Sequence, residues 1–249
     1  QGGSAYLYPP AANFFGNDSF TFEASDGVLQ SGSGTVLITI APVNDAPVAN
    51  DDTLTATEDT AVTYTAAQLL GNDTDVEGDP LSIATVTSGA GGTAVLNGDG
   101  TVTFTPNLNF NGPAAFTYQA TDGTAGSNTA TVMVNVAAVN DVPVIGGVPT
   151  GSVTEDIDVV AGNLATSGAL TIVDSDQGQF NFTAQTGTAA TYGSFTLAAN
   201  GAWTYTASDS QSAIRQLGAG QSISDSFTAT SSDGTASQLV SVTINGSND

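Results

Sequence analysis

Apolar and polar residues alternate with a period of two in short runs along this chain, and helix-like periodicity is scarce. Thr35-Val-Leu-Ile-Thr-Ile40, Thr101-Val-Thr-Phe-Thr105, Thr129-Ala-Thr-Val-Met-Val-Asn-Val136, Ala202-Trp-Thr-Tyr-Thr206 and Ser241-Val-Thr-Ile244 are rich in β-branched and aromatic residues. Such runs predict half-buried strands. Asn97-Gly98-Asp99-Gly100 and Asn200-Gly201 stand before two of them, which predicts hairpins over 94–105 and 194–206. Helix is expected only as one turn near residues 66–70 and a short segment over 209–217, which opens on an acid and stops before Gly218. The pattern is all-β, with strands at the spacing of sandwich modules. Phe20, Phe22, Phe116, Tyr118 and Phe227 fall on corresponding strands and are expected in cores. Trp203 and Tyr205 share a face, read as the core of the last module, with a carbohydrate-stacking surface as the other reading.

The same pattern recurs. An offset of 96 residues carries Pro10 onto Pro106, Phe14 onto Phe110, Gly16 onto Gly112, Phe20 onto Phe116 and Asp26-Gly27 onto Asp122-Gly123, without a gap. Val-Asn-Asp stands at 43–45 and again at 139–141, each time with a proline two residues on, and Asn248-Asp249 closes the chain. The expected modules are therefore 1–45, the back part of one sandwich, then 46–141 and 142–249 as complete ones. The segment reads as part of something longer.

Composition narrows the function. The chain has 249 residues, a formal net charge of -23, one basic residue (Arg215) and no His. Nothing in it neutralises phosphates, so nucleic acid is excluded as a partner and anionic membrane surfaces are disfavoured. No run is long and apolar enough for membrane insertion. Of the 24 acidic residues only Glu23, Glu58, Glu77 and Glu155 are glutamate, a bias that suits turns and oxygen-ligand cation sites. Self-repulsion of this size penalises the compact state unless cations offset it. With no Cys, no disulfide braces the modules. Without His or Cys, the usual general base and the thiol nucleophile are missing, and an enzyme is not expected.

The acids recur in a fixed order. Each full module carries Thr-Glu-Asp near its start (Glu58-Asp59; Glu155-Asp156), then Asp-x-Asp (Asp73/Asp75; Asp174/Asp176), then Asp-Gly before the last strand (Asp122; Asp233), then Asn-Asp at its end (Asn140-Asp141; Asn248-Asp249). One recurring acid can be a turn; four in one order point to oxygen ligands for a cation.

With Glu58, Asp73/Asp75, Ala120-Thr121-Asp122 and Val43-Asn44-Asp45-Ala46-Pro47, the chain resembles the bacterial relatives of cadherin repeats. Residues 46–141 are similar to the tandem-95 type of cadherin-like repeat. Residues 142–249 resemble a VCBS repeat on Ala169-Leu-Thr-Ile-Val-Asp-Ser-Asp176, Tyr192-Gly-Ser-Phe195, Gly201-Ala-Trp-Thr-Tyr205 and Thr243-Ile-Asn-Gly-Ser-Asn-Asp249. Both occur together in giant RTX-type surface adhesins. The linkers have Ala46 or Val142 where cadherins have a second Asn, and the cadherin Asp-Arg-Glu element has no counterpart.

The resemblance implies tandem Ig-like, Greek-key β-sandwich modules joined end to end, with Ca2+ as cofactor. It implies one site from Asn44, Asp45, Asp73, Asp75 and Asp122, and a second from Glu58, Asn140, Asp141, Asp174, Asp176 and Asp233. Glu155, Asn248 and Asp249 would form half of a third, and Asp26 would point upstream. The expected function is a non-enzymatic, calcium-rigidified extender of a bacterial surface adhesin or biofilm matrix protein, outside the cell. Its partners would be adjacent modules of the same polypeptide. The alternatives are a carbohydrate-binding or homophilic adhesion module, acting on cell-surface glycans or like chains, and a filament subunit that accepts a donated strand at the incomplete 1–45 module.

Overall fold

The computed structural model describes residues 5–248, and the chain divides into two compact units, residues 1–138 and 139–249. It is all-β, and the two units hold tandem β-sandwich modules.

In the first unit, β1 (Gly16–Phe22) and β2 (Gly34–Ile40) form a two-stranded antiparallel sheet, Phe20 opposite Val36. A sandwich follows: β3 (Asp52–Thr57), β4 (Val62–Tyr64), the single turn α1 (Ala66–Leu69), β5 (Ser82–Ser88), β6 (Gly92–Leu96), β7 (Val102–Pro106), β8 (Gly112–Thr121) and β9 (Gly126–Ala137). One sheet has the order β3-β9-β8-β5 and the other β4-β7-β6. β3 runs parallel to β9, and the remaining pairs are antiparallel. Alternation puts Phe116, Tyr118, Val132 and Val134 on the inner face, against Tyr64, Phe104 and Leu69. The Phe104 and Phe116 rings stack with centroids 6.0 Å apart.

In the second unit the strands are β10 (Val144–Gly147), β11 (Thr150–Thr154), β12 (Asn163–Val173), β13 (Gln185–Ala189), β14 (Gly193–Leu197), β15 (Ala202–Ser208), β16 (Ser222–Thr230) and β17 (Ser237–Asn245). A five-stranded sheet, β10-β12-β15-β14-β13, faces a three-stranded sheet, β11-β17-β16. Trp203 and Tyr205 are fully buried in the core between them, with Phe195, Phe227 and Ile244. The Trp203 indole N–H donates to Val148 O at 2.9 Å, and a Cβ at Gly168 would stand 2.5 Å from its ring. Trp203 is therefore a packing element, which removes the carbohydrate-stacking reading for that side chain.

Two expectations need correction. Phe22 is 52 % exposed and Phe20 only half-buried, whereas their counterparts Tyr118 and Phe116 are buried. Two strands have no second sheet to close over them, so alternation alone does not make a core. The segment over 209–217 contains only the turn α2 (Ser212–Arg215), with Gln211 as N-cap. Asp209 is buried instead, accepting the Asp156 N–H at 3.3 Å.

Candidate metal centre

Charge is kept off the sheets. Of the acidic residues, Asp18, Asp52 and Asp225 alone lie in strands among the described residues. The others fall in linkers and loops, where Asp and Asn side chains compete with the backbone for its N–H groups.

In the first unit the linker reaches the loop between α1 and β5. Asn44 Nδ2 donates to Asp122 Oδ2 at 2.8 Å and to Asp45 O at 3.0 Å. The Asp45 N–H donates to Glu77 Oε2 at 3.1 Å. Asp75 Oδ1 accepts the Glu77 and Asp79 N–H groups, both at 3.0 Å, while Asp75 Oδ2 is buried with no hydrogen-bond partner. Asp122 Oδ1 accepts the N–H groups of Thr124 at 2.6 Å and Ala125 at 2.7 Å. The Ala125 N–H, the Asn44 amide and the Thr124 N–H hold the Asp122 carboxyl below the usual range, so it stays ionised.

The second unit repeats the linker's contacts with the loop and the turn. Asn140 Nδ2 donates to Asp233 Oδ2 at 3.0 Å and to Asp141 O at 2.9 Å. The Asp141 N–H donates to Asp176 Oδ2 at 2.8 Å. Asp174 Oδ1 accepts the Asp176 N–H at 2.9 Å, and Asp174 Oδ2 is buried with no hydrogen-bond partner. The Ser231 and Thr235 hydroxyls and the Asn140 amide push the Asp233 carboxyl far down.

These bonds shift the expected pairing. Asp174-Ser-Asp176 corresponds to Asp75-Val-Glu77, not to Asp73-Thr-Asp75, and each pair precedes a glycine with positive φ, Gly78 at 77° and Gly178 at 86°. Asp73 turns inward, towards Tyr118 and Asn50. Glu77 is an acid beside the linker that the sequence reading did not single out. Its signal was the acid-x-acid run before that glycine. A three-residue difference in the intervening segment hid it, since Asp45 and Glu77 are 32 apart but Asp141 and Asp176 are 35 apart.

Glu58 and Glu155 each bond the last residue of a strand, Ala137 of β9 and Asn245 of β17. Glu58 is 2 % exposed; its N–H donates to Ala137 O at 3.0 Å, and Asn111 Nδ2 donates to its Oε2 at 3.1 Å. Glu155 is 1 % exposed; its N–H donates to Asn245 O at 3.0 Å and its Oε1 accepts the Ser247 N–H at 2.9 Å. Asn248 Oδ1 accepts the Ala219 N–H at 3.4 Å, and Asp249 lies outside the described residues. Asp26 Oδ1 accepts the Val28 and Leu29 N–H groups, the same turn as at Asp122.

Among the described residues, no three acidic side chains stand close enough together to cage an ion on carboxylates alone. The donor set nevertheless fits a hard cation: ionised carboxylates, an amide, backbone carbonyls, and one buried carboxylate oxygen per loop without a proton donor.

Residues 43–137 match the family described as the cadherin-like domain, and residues 140–246 that described as the bacterial cadherin-like domain. Cadherin-like repeats make up most of this chain. No curated protein matches it significantly. Solved structures agree on the fold of the repeats. The chain is similar to protocadherin gamma B2 extracellular cadherin domains 1–5, with 13 % identity and a TM-score of 0.58 over 96 % of this chain and 52 % of that one. Drosophila N-cadherin EC1–4 aligns with 15 % identity and a TM-score of 0.51 over 88 % of this chain and 53 % of that one. The repeats thus span about half the length of the cadherin structures they match. An endo-fucoidan hydrolase of glycoside hydrolase family 107 aligns over 97 % of this chain and 35 % of that one, at 19 % identity. Its TM-score of 0.32 is too low to bear on activity.

Proposed function

We propose that this chain is a non-enzymatic, calcium-binding extender segment of a large bacterial surface adhesin or biofilm matrix protein, acting outside the cell. The observation that carries the reading is the repeated bonding of linker to loop. Asn44-Asp45 and Asn140-Asp141 each engage an acid-x-acid loop and an Asp-Gly turn, and each loop holds a buried carboxylate oxygen with no proton donor. Asn44, Asp45, Asp75, Glu77 and Asp122 would hold one Ca2+, and Asn140, Asp141, Asp174, Asp176 and Asp233 another. Glu58 and Glu155, with Asn248 and Asp249, remain candidate ligands from the order of the motifs. The proposed modules are 1–45, 46–141 and 142–249, with the VCBS-like repeat last, as in RTX-type adhesins.

When bound, calcium supplies charge neutralisation and a fixed coordination geometry. The chain's own residues do the rest. The linker asparagine and aspartate fix where the linker lies on the module that follows, and backbone N–H groups orient Asp75, Asp122 and Asp174. Without the ion, carboxylates crowd the linker and repel. With it, the linker is held, and a string of modules stiffens. The test is small-angle scattering and thermal melting of the chain in calcium and in chelator. Extension and a large rise in melting temperature with calcium are expected. An unchanged shape and melting curve would reduce these acids to solvated turns.

One observation keeps a second reading in view. The β1–β2 sheet has only two strands among the described residues, so each presents an open edge, of the kind that accepts donated strands. Concentration-dependent assembly in chelator would favour that reading over the extender.

A further inference from the structure

The two loops carry equivalent acids but are anchored to their units by different means. In the second unit the linker runs straight into β10, which pairs with β12 over four residues, Val144 opposite Val173 next to Asp174. The backbone ladder itself holds the loop. The equivalent pairing in the first unit is a single bridge, Val48 opposite Thr74, with N–H to O bonds of 2.8 and 3.0 Å. Side chains supply the other attachments there. Asp73 Oδ1 accepts the Asn50 N–H at 2.8 Å, Asn50 Nδ2 donates to Asn72 O at 2.7 Å, and Asn72 Nδ2 donates to Asp51 O at 3.0 Å.

Beneath them lies the Tyr118 hydroxyl, on β8. It is 2.9 Å from Asp73 Oδ2, 3.0 Å from Asp73 Oδ1 and 2.7 Å from Leu69 O. Burial and the Asp73 carboxylate push the Tyr118 hydroxyl well above its ordinary pKa, so it remains a proton donor. Counting from Asp75 and Asp174, the second unit has Ile172 where the first has Asp73. Counting back from Asp122 and Asp233, it has Ala229 where the first has Tyr118. An apolar pair replaces the polar strut where backbone pairing makes the strut unnecessary.

We propose that Asp73, with Tyr118 and Asn50, is a positioning group for the cation loop of the first repeat and not a cation ligand. The strut ties the chain two residues before Asp75 to the sheet that ends in Asp122, setting the separation of two acids that must share one ion. This rests on the calcium reading above. Outer partners of this kind typically change metal affinity about 10- to 100-fold when removed.

The experiment is calcium titration by calorimetry on the full chain carrying Asp174→Asn and Asp176→Asn, which isolates the first site. Adding Tyr118→Phe is expected to weaken calcium binding there about 10-fold. Placed in the otherwise unaltered chain, the same substitution is expected to leave the second site unchanged. Asp73→Asn keeps an acceptor oxygen for Tyr118 and Asn50, and is expected to retain most of the affinity. Loss of binding in Asp73→Asn would make Asp73 a ligand and overturn the proposal. Unchanged affinity in Tyr118→Phe, with only a lower melting temperature in chelator, would make the strut purely structural and overturn it too. If the unaltered chain binds no calcium, the calcium reading itself fails, and the positioning role fails with it.

Discussion

At the scale of single residues, the chain shifts carboxylates in opposite directions by placing them differently. Asp122 sits in a turn whose N–H groups favour the ion, whereas Asp52 opens β3 with Oδ2 buried and no hydrogen-bond partner. Burial, then the neighbouring Asp73 carboxylate, pushes the Asp52 carboxyl up to about 6. A carboxyl raised in the folded state favours folding while it is protonated. Its contribution is fully present below the unfolded value of about 3.9 and is lost as pH rises through about 6. Asp52→Asn should therefore melt at a higher temperature than the parent at pH 7, with the difference shrinking towards pH 4. Melting curves of both proteins in chelator across that range check this. Parallel curves would mean that Asp52 is solvated and ordinary.

At the scale of elements, the sandwich of the second unit is closed by a charge placed against the usual grain. β16 is an edge strand, and an inward-pointing charge is one way an edge is kept from pairing with other chains. Its Asp225 is 3 % exposed. It accepts the Tyr205 hydroxyl at 2.7 Å, the Thr191 N–H at 2.9 Å and the Tyr192 N–H at 2.9 Å. One carboxylate thus joins the three-stranded sheet to β15 and to the turn between β13 and β14. Asp225→Ala would strand three donors in a dry site. It should lower the stability of the second unit by about 3 kcal/mol or more, seen as an earlier melting step with the step of the first unit unmoved. A loss below about 1 kcal/mol would mean that water replaces the carboxylate.

At the scale of the whole molecule, 24 acidic residues face one arginine, and the folded chain works against its own charge. Sodium chloride only screens that repulsion, whereas calcium at an oxygen site neutralises it locally. Mg2+ demands a tighter octahedral shell and gives up its water reluctantly. Melting temperature should therefore rise more with millimolar calcium than with equal magnesium, and far more than with the sodium chloride that matches its ionic strength. Equal responses to the two divalent ions would point to a diffuse atmosphere in place of built sites.

Much of this could be read without a structure, for physical reasons that differ from element to element. Strand runs such as Thr129–Val136 and the 96-residue repeat are local or periodic, so β class and tandem modules were legible in the residue order alone. Trp203 stayed open between core and surface, because a two-residue period tells which side chains share a face but not which face is covered. Phe22 failed for the same reason in reverse, sharing a buried-type pattern with no second sheet above it. Which acids meet the linker was decided only in three dimensions. A three-residue difference in segment length, and a tyrosine on β8 that captures Asp73, moved the pairing to Asp75 and Glu77, since hydrogen bonds answer to distance in space and not to position in a motif.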